Sequence, residues 1–211
     1  MTRFQHLPEL LAPAPIELAT SRHIAPVLPS VLTKLRQLAP NRALDEQETV
    51  LLAELQAQLL LDMAGLSRPP TPSALITELP RVLVKLRADL PVSGATHWAG
   101  QQWLLLIRDG EPVQRQRFSL AHEYKHCVDH RLSGTLYQGT RQYSPQRQVE
   151  LAADAFAAAL LMPERWLRAA WEAELRSLTL LAQRFQVSEQ AMRRRLDHFG
   201  LDARQSLAGA A

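Results

Sequence analysis

Two histidines four positions apart, His122 and His126, enclose a glutamate at position 123 in the run HEYKH. On an α-helix, residues i and i+4 project from one face a single turn apart, so both imidazoles can reach one point. Zinc binds imidazole nitrogens at about 2.0–2.1 Å, which this spacing allows. Glu123 lies about 100° further round the helix, where its carboxylate can accept a proton from a water molecule at the open coordination position. The pattern indicates metal-assisted hydrolysis.

A catalytic zinc site needs a third protein ligand, and three residues compete for that role. His130 continues the i, i+4 series, but it lies about 12 Å along a continuous helix from His122. Asp129 points away from the histidine pair by the same geometry. The longer metzincin pattern is excluded, because Leu132 stands where that pattern requires a histidine.

Glu150 is the remaining candidate for the third ligand. It lies in the alanine-rich and strongly helical segment VELAADAFAAALLMP, which Pro163 closes. Its neighbours are mostly apolar, so a charge at this position should have a partner. Asp154 follows at i+4 on the same helical face and could orient a ligand imidazole through a hydrogen bond.

The helix that carries the two histidines also has a predicted core face. By helical geometry, its apolar residues fall on the arc opposite the histidines. These residues are Leu120, Ala121, Tyr124, Cys127 and Val128. One face of the helix is therefore expected to pack, while the other carries the chemistry.

Composition bounds the class of protein. The chain has 211 residues, of which 46% are hydrophobic and 21% charged, as in ordinary soluble globular proteins. Its single cysteine, Cys127, excludes an internal disulfide framework and is typical of a reducing compartment. No apolar stretch has the length of a signal peptide or a membrane span. We therefore expect a cytoplasmic protein that does not associate with membranes.

Composition and periodicity also divide the chain. Residues 1–44 are rich in proline and leucine without a clear period, and we interpret them as an N-terminal extension, partly helical around 31–38. Residues 45–201 are predicted to form the main domain, and residues 202–211 a C-terminal tail.

Within the main domain, apolar residues at helical spacing predict helices over 44–66 and 73–79. Segments of β-forming residues between 81 and 107, punctuated by proline and glycine, predict two or three short strands. After these strands the sequence is helical almost to its end.

The segment 178–200 has the pattern of two helices joined by a turn, with Ser188 as an N-cap and Gly200 just beyond the second helix. Two interpretations are open. A DNA-binding helix-turn-helix would place Arg193 to Arg195 on phosphates or bases. Alternatively, the pair completes the helical layer of the main domain.

These motifs resemble the ImmA/IrrE family of metallopeptidases. The similarity is carried by RQRFSLAHEYKH at 115–126 and by ExxADxFAAALLMP at 150–163, and it extends over roughly residues 46–201. The resemblance implies an α+β fold, a mostly helical zincin-like domain with a small β-sheet packed on the active-site helix and a C-terminal helix pair. It favours the interpretation in which that pair belongs to the domain.

The resemblance also implies a gluzincin-like site with one Zn²⁺. His122, His126 and Glu150 would be its ligands, and Glu123 the catalytic base. Two positions depart from the family pattern. Lys125 replaces the usual glycine, and it would either crowd the cleft or face solvent. Asp154 replaces the usual asparagine, a change that should keep a hydrogen bond to a ligand histidine.

The function implied is a zinc endopeptidase that cleaves a protein partner, a helix-turn-helix repressor of a mobile element or a stress response. The alternatives are a DNA-binding or regulatory protein that keeps a zinc site without proteolysis, and the protease of a toxin–antitoxin pair. Tyr137 or Tyr143 could donate to the developing oxyanion, and His97 and Trp98 could line the substrate cleft.

Overall fold

A computed structural model describes residues 30–173 and 176–201 of the chain. The tail predicted at 202–211 and most of the predicted N-terminal extension lie outside these residues. The described elements, in chain order, are α1 (Val31–Gln37), α2 (Glu46–Met63), α3 (Ala74–Thr77), β1 (Val82–Arg87), β2 (Gly94–Trp98), β3 (Trp103–Arg108), α4 (Val113–Asp129), α5 (Ser133–Leu136), α6 (Pro145–Leu161), α7 (Glu164–Glu172), α8 (Leu178–Phe185) and α9 (Glu189–His198). The predicted α+β class, mostly helical with a small sheet, is confirmed.

The sheet has three strands in the order β1-β3-β2. Strand β3 lies in the middle, parallel to β1 and antiparallel to β2. Its residues Trp103 to Ile107 are all buried, which fits an apolar run covered on both faces. Strand β2 is an edge strand that pairs only with β3 in the described part of the chain.

Three long elements build the core around this sheet. Helix α4 packs against strands β2 and β3 on one side and against α6 on another, and α2 covers α6. Local signals fix where two of these helices begin. Asp45 and Glu48 form a reciprocal capping box at the start of α2. Ser144 accepts a hydrogen bond from the backbone N–H of Arg147 at the start of α6.

Helix α1 supports the C-terminal end of α4. The guanidinium of Arg36 donates hydrogen bonds to the carbonyls of Cys127 (2.7 Å) and Val128 (2.9 Å), in the last turn of α4. These carbonyls have no partner within the helix, so the positive charge satisfies them and complements the helix dipole. Leu35 beside it is fully buried, and its carbonyl accepts a hydrogen bond from Gln56 of α2 at 3.0 Å.

The C-terminal helices α8 and α9 are joined by a turn in which Gln186 adopts the left-handed conformation, with φ of 55°. The buried guanidinium of Arg117 on α4 donates to the carbonyl of Gln186 at 3.2 Å. Arg195 of α9 is also buried, and it donates to the Met162 carbonyl and to Glu54 of α2 at 2.6 Å. The pair is therefore fastened to the rest of the domain through its turn and through α9.

This arrangement corrects one part of the helix-turn-helix interpretation. Arg195 belongs to the interior and cannot contact DNA in this structure, whereas Arg193 and Arg194 are exposed. None of the described helices has both the length and the apolar character needed to cross a membrane.

Candidate metal centre

Three ligand-type side chains converge on one face of α4. His122 and His126 lie one helical turn apart with ring centroids 4.9 Å from each other. One donor atom from each of His122, Glu123 and His126 can be chosen so that all three lie within 4.8 Å of one another. The helix positions them because the apolar residues predicted for its opposite face, Leu120, Ala121, Tyr124, Cys127 and Val128, are all buried.

Helix α6 brings Glu150 against His122, although Glu150 is not among the three residues whose donor atoms all lie within 4.8 Å of one another. Its Oε2 atom lies 3.4 Å from Nε2 of His122, and its Oε1 accepts a hydrogen bond from Gln146 one turn earlier. Two ligands each about 2.0–2.1 Å from a tetrahedral zinc would have donor atoms about 3.3 Å apart. The separation between Nε2 and Oε2 is thus that of one edge of a zinc coordination tetrahedron, and the donor set of two imidazoles and a carboxylate suits zinc.

Asp154 lies one turn further along α6 and contacts the other nitrogen of the same imidazole. Its Oδ1 atom is 2.9 Å from Nδ1 of His122. A carboxylate only accepts, so Nδ1 carries the proton in this contact. In the metal-free protein Nε2 is also protonated and points towards Glu150. Loss of that proton alone would leave the tautomer that a metal ligand requires, with Nδ1–H held by Asp154.

The charges of this cluster are strongly coupled. Burial lowers the pKa of His122, but the hydrogen bonds with Asp154 and Glu150 outweigh it and raise that pKa to about 9. The same contact with His122 lowers the pKa of Glu150 to about 2. Burial, together with the charge on His122, lowers the pKa of His126 to about 4. At neutral pH the metal-free site therefore holds an anionic Glu150, a neutral His126 and a protonated His122, whose proton a metal ion would have to displace.

Glu123 is almost fully buried between α4 and strand β2. Burial raises the pKa of its carboxyl group, and the hydroxyl of Thr96 opposes this by donating a hydrogen bond to Oε2 at 2.7 Å. The sequence did not single out Thr96. The alternation of strand residues puts it on the same face as Gly94, but which helix residue this face meets depends on tertiary packing.

Lys125, which replaces the glycine usual in the family, was expected either to crowd the cleft or to face solvent, and both expectations are wrong. It neither crowds the cleft nor faces solvent, because its side chain is fully buried. Its ammonium group donates to both carboxylate oxygens of Asp129 at 2.6 Å. The hydroxyl of Tyr137 donates to the same carboxylate at 2.7 Å. A buried charge is tolerated here because it has an ionised partner one helical turn away.

This network also removes Tyr137 from the candidates for an oxyanion donor, because its hydroxyl is buried and already engaged. Tyr143 is half-buried in the loop before α6, so this role remains a prediction. Helix α4 ends at Asp129, and the following His130 packs its ring against Trp103 with centroids 4.9 Å apart.

The predicted cleft residues lie on strand β2. Trp98 is half-buried and packs against Trp103 of β3, with ring centroids 5.0 Å apart. His97 is exposed, and it points to the opposite face of the sheet from Thr96 and Trp98 because successive strand residues alternate. The packing role of Trp98 is therefore visible in its contacts, whereas His97 contributes nothing to the cluster on α4.

Comparison with known proteins agrees with this geometry. The family model described as an IrrE N-terminal-like domain, Peptidase_M78, matches residues 82–197, more than half of the chain. The fold is similar to that of a Mycobacterium tuberculosis transcriptional regulator, with a TM-score of 0.58 at 20% sequence identity. This similarity covers 80% of the chain and 52% of the regulator, so the chain spans about half of that protein's length. No curated protein matches the sequence significantly. Since both sequence motifs fall within the matched residues, the chain belongs to the IrrE N-terminal-like peptidase family.

Proposed function

We propose that this protein is a zinc-dependent endopeptidase with His122, His126 and Glu150 as metal ligands and Glu123 as catalytic base. The observation that carries the proposal is the 3.4 Å separation between Nε2 of His122 and Oε2 of Glu150, two residues from different helices. A bound zinc ion would polarise the peptide carbonyl and acidify the attacking water. The family assignment supports peptidase chemistry at this cluster.

The protein's own groups would then carry the proton transfers. The carboxylate of Glu123 accepts a proton as the water oxygen forms a bond to the carbonyl carbon. It passes that proton to the leaving nitrogen as the C–N bond breaks, and it is again ionised at the end of the cycle. The raised pKa of buried Glu123 suits both roles, because a base must also be able to return the proton.

Among the described residues, no strand pairs with the edge of β2 that faces away from β3, and we expect the substrate to lie along this edge. Hydrogen bonds from Arg108 to Ser93 and from Ala99 to Gln102 bracket the pairing of β2 with β3. Since antiparallel residues alternate between bonded and non-bonded positions, Thr96 directs its backbone N–H and C=O away from β3. An extended substrate segment could add to this edge directly beside Glu123.

For the partner, we propose a helix-turn-helix repressor, on the basis of the resemblance described above. The transcriptional regulator of similar fold is consistent with a regulatory context. A cytoplasmic location and the toxin–antitoxin alternative remain predictions of the same kind.

The decisive experiment compares cells that produce the wild-type chain with cells that produce Glu123→Gln, and identifies protein N-termini that appear only with the wild type. We expect a new N-terminus within a repressor, and purified zinc-loaded protein should reproduce that cut. Glu123→Gln should retain about one zinc per chain by mass spectrometry, and Glu150→Ala should lose it. Glu164→Gln, an exposed carboxylate paired with Arg168, is the matched control. Equal N-termini in both cultures would refute proteolysis.

The rival function is DNA binding through α8 and α9 without proteolysis. It predicts salt-sensitive binding to duplex DNA that weakens when the exposed Arg193 and Arg194 are replaced by serine. Fluorescence anisotropy with a labelled duplex would separate this rival from a peptidase, because the substitutions leave the metal cluster untouched.

A further inference from the structure

Strand β2 faces α4 with two small residues at the position of Glu123. Gly94 and Thr96 are two residues apart, so their side-chain directions share one face of the strand. The hydroxyl of Thr96 contacts Oε2 of Glu123, and a side-chain carbon at Gly94 would meet Cγ and Oε1 of the same residue. Neither residue is among the candidate metal ligands.

Thr96 provides a directed hydrogen bond. Its Oγ1 lies 2.7 Å from Oε2 of Glu123 and 2.9 Å from the backbone carbonyl of the same residue. Within the described residues, this hydroxyl is the one hydrogen-bond donor to the Glu123 carboxylate. Because the carboxylate is nearly excluded from solvent, loss of this donor would leave neither of its oxygens with a hydrogen-bond donor among the described residues.

Gly94 provides space. A Cβ atom at this position would lie 2.7 Å from Cγ and 2.8 Å from Oε1 of Glu123, distances shorter than any real van der Waals contact. The backbone of Gly94 does not adopt a positive φ, so no turn requires a glycine here. A glycine is required at this position because the strand approaches the Glu123 carboxylate too closely for a side chain.

We propose that Gly94 and Thr96 are positioning residues that hold the Glu123 carboxylate in the orientation for proton transfer. This inference rests on the function proposed above. The Thr96 hydroxyl holds Oε2 through its hydrogen bond. Because Gly94 has no side chain, Oε1 can lie close to the backbone of the strand. The strand that holds the base thus also presents the edge for the substrate, which sets the distance between the base and the scissile bond.

A structural role alone would have a different signature. Thr96 could merely fasten the sheet to α4 through the carbonyl of Glu123, in which case its loss would lower stability and leave turnover unchanged. A positioning role predicts a fall in kcat at nearly constant KM. The backbone of Thr96, which meets the substrate, is the same in every variant at this position.

The test uses the zinc-loaded full chain and the repressor cleaved in the experiment above. Thr96→Val keeps the shape but removes the hydroxyl, and we expect kcat to fall roughly 10–100-fold with KM within about twofold. Thr96→Ser restores the hydroxyl and should recover kcat to within about threefold of the wild type. Gly94→Ala should lower kcat at least as much as Thr96→Val.

Two control variants match these changes. Thr179→Val removes a hydroxyl that donates to Glu189 at an exposed site, and Gly134→Ala adds a methyl group where no atom lies within 4 Å. Both should leave kcat unchanged. Unaltered kcat in Thr96→Val, with cleavage by the wild type intact, would overturn the positioning role and leave the peptidase proposal standing.

A second readout needs no activity. Unfolding of the metal-free wild type, Thr96→Val, Glu123→Leu and the double variant gives the coupling between the two side chains, because leucine removes the acceptor that glutamine would keep. We expect the unfolding equilibrium constants to deviate from additivity by roughly tenfold, as for a hydrogen bond to a charged group. Strict additivity would overturn the inference, even if cleavage were observed.

Discussion

The carboxylate of Asp129 receives the ammonium group of Lys125 through both of its oxygens, each at 2.6 Å, at a point where neither side chain reaches solvent. Burial lowers the pKa of Lys125, and the charge of Asp129 opposes that change. Each charge is tolerable only because the other is present. The pair lies within the helix that also carries the candidate metal ligands.

Removing one member should therefore be costly. We expect Lys125→Ala to lower the free energy of unfolding by about 3–5 kcal/mol, because Asp129 would remain buried without a counter-ion. Denaturant unfolding would measure the loss. Lys85→Ala, at an exposed position of β1, should change stability by no more than about 0.5 kcal/mol. A cost for Lys125→Ala below about 1 kcal/mol would contradict the burial of the pair.

Replacing the whole network should be far less damaging than breaking it. In the triple variant Lys125→Met, Asp129→Leu, Tyr137→Phe, no buried polar group of this network is left unpaired. We expect its stability to be close to that of the wild type, since buried ion pairs often exchange for apolar residues at little net cost. The comparison with Lys125→Ala, made in the same denaturant series, separates the desolvation penalty from simple loss of packing.

Zinc affinity should depend on pH through His122. In the absence of metal, the pKa of His122 is about 9, whereas those of His126 and Glu150 are about 4 and about 2. Below pH 9, zinc must displace one proton from His122, while the other two ligands are already deprotonated above pH 5. The apparent association constant should rise about tenfold per pH unit between pH 6 and 8.5.

Competition with a chromophoric chelator of known proton affinity would give this slope. A pH-independent constant over that range would show that His122 is not protonated in the metal-free protein, or that it is not a ligand. Repeating the titration with His126→Ala should lower the affinity without changing the slope, because the proton that is displaced belongs to His122.

Asp154 should strengthen zinc binding because it fixes the orientation of the His122 imidazole. We expect Asp154→Ala to weaken zinc binding about 10–100-fold, because the Nδ1 proton loses its acceptor and the imidazole its fixed tautomer. Asp154→Asn, the residue typical of the family, keeps an acceptor oxygen and should cost much less. Equal losses in the two variants would mean that the negative charge, not the hydrogen bond, is what Asp154 contributes.

Cys127 offers a probe of helix α4. Its thiol is fully buried, and burial raises its pKa well above the usual range, so both access and thiolate formation are suppressed. We expect a disulfide exchange reagent to label native protein far more slowly than unfolded protein, which should react at one thiol per chain. Zinc should slow labelling further if it stabilises α4. Rapid labelling of the native state would show that the helix opens readily.

Local sequence patterns were sufficient to predict the helix with HExxH, its core face and the short strands of the sheet. The i, i+4 spacing and the apolar periodicity that define them act within a few residues. The β-forming region was predicted only as two or three short strands between 81 and 107, and the exact bounds of β2, Gly94–Trp98, did not follow from it. Its start depends on pairing with β3, which the local sequence does not encode.

The long-range contacts that hold Glu123 and the end of α4 in position could not be predicted from local sequence patterns. Thr96 meets Glu123 across 27 residues, and Arg36 meets Cys127 across 91. Such pairs follow from how the sheet and α1 pack on α4, and no local spacing signals them. Lys125 is an intermediate case. Its i, i+4 relation to Asp129 is visible in the sequence, but its burial depends on the chain folding back to place Tyr137 over the pair.

The hydrogen bonds from Arg36 to the end of α4 bear on the choice of an expression fragment. Truncation at residue 45, the boundary suggested by composition, would delete both Arg36 and the buried Leu35. The carbonyls in the last turn of α4 would lose the guanidinium that donates to them. Loss of Leu35 would also leave a cavity in the core and remove the acceptor of the Gln56 side chain. The shortest stable fragment should therefore start no later than Ser30, whose hydroxyl caps the first helix.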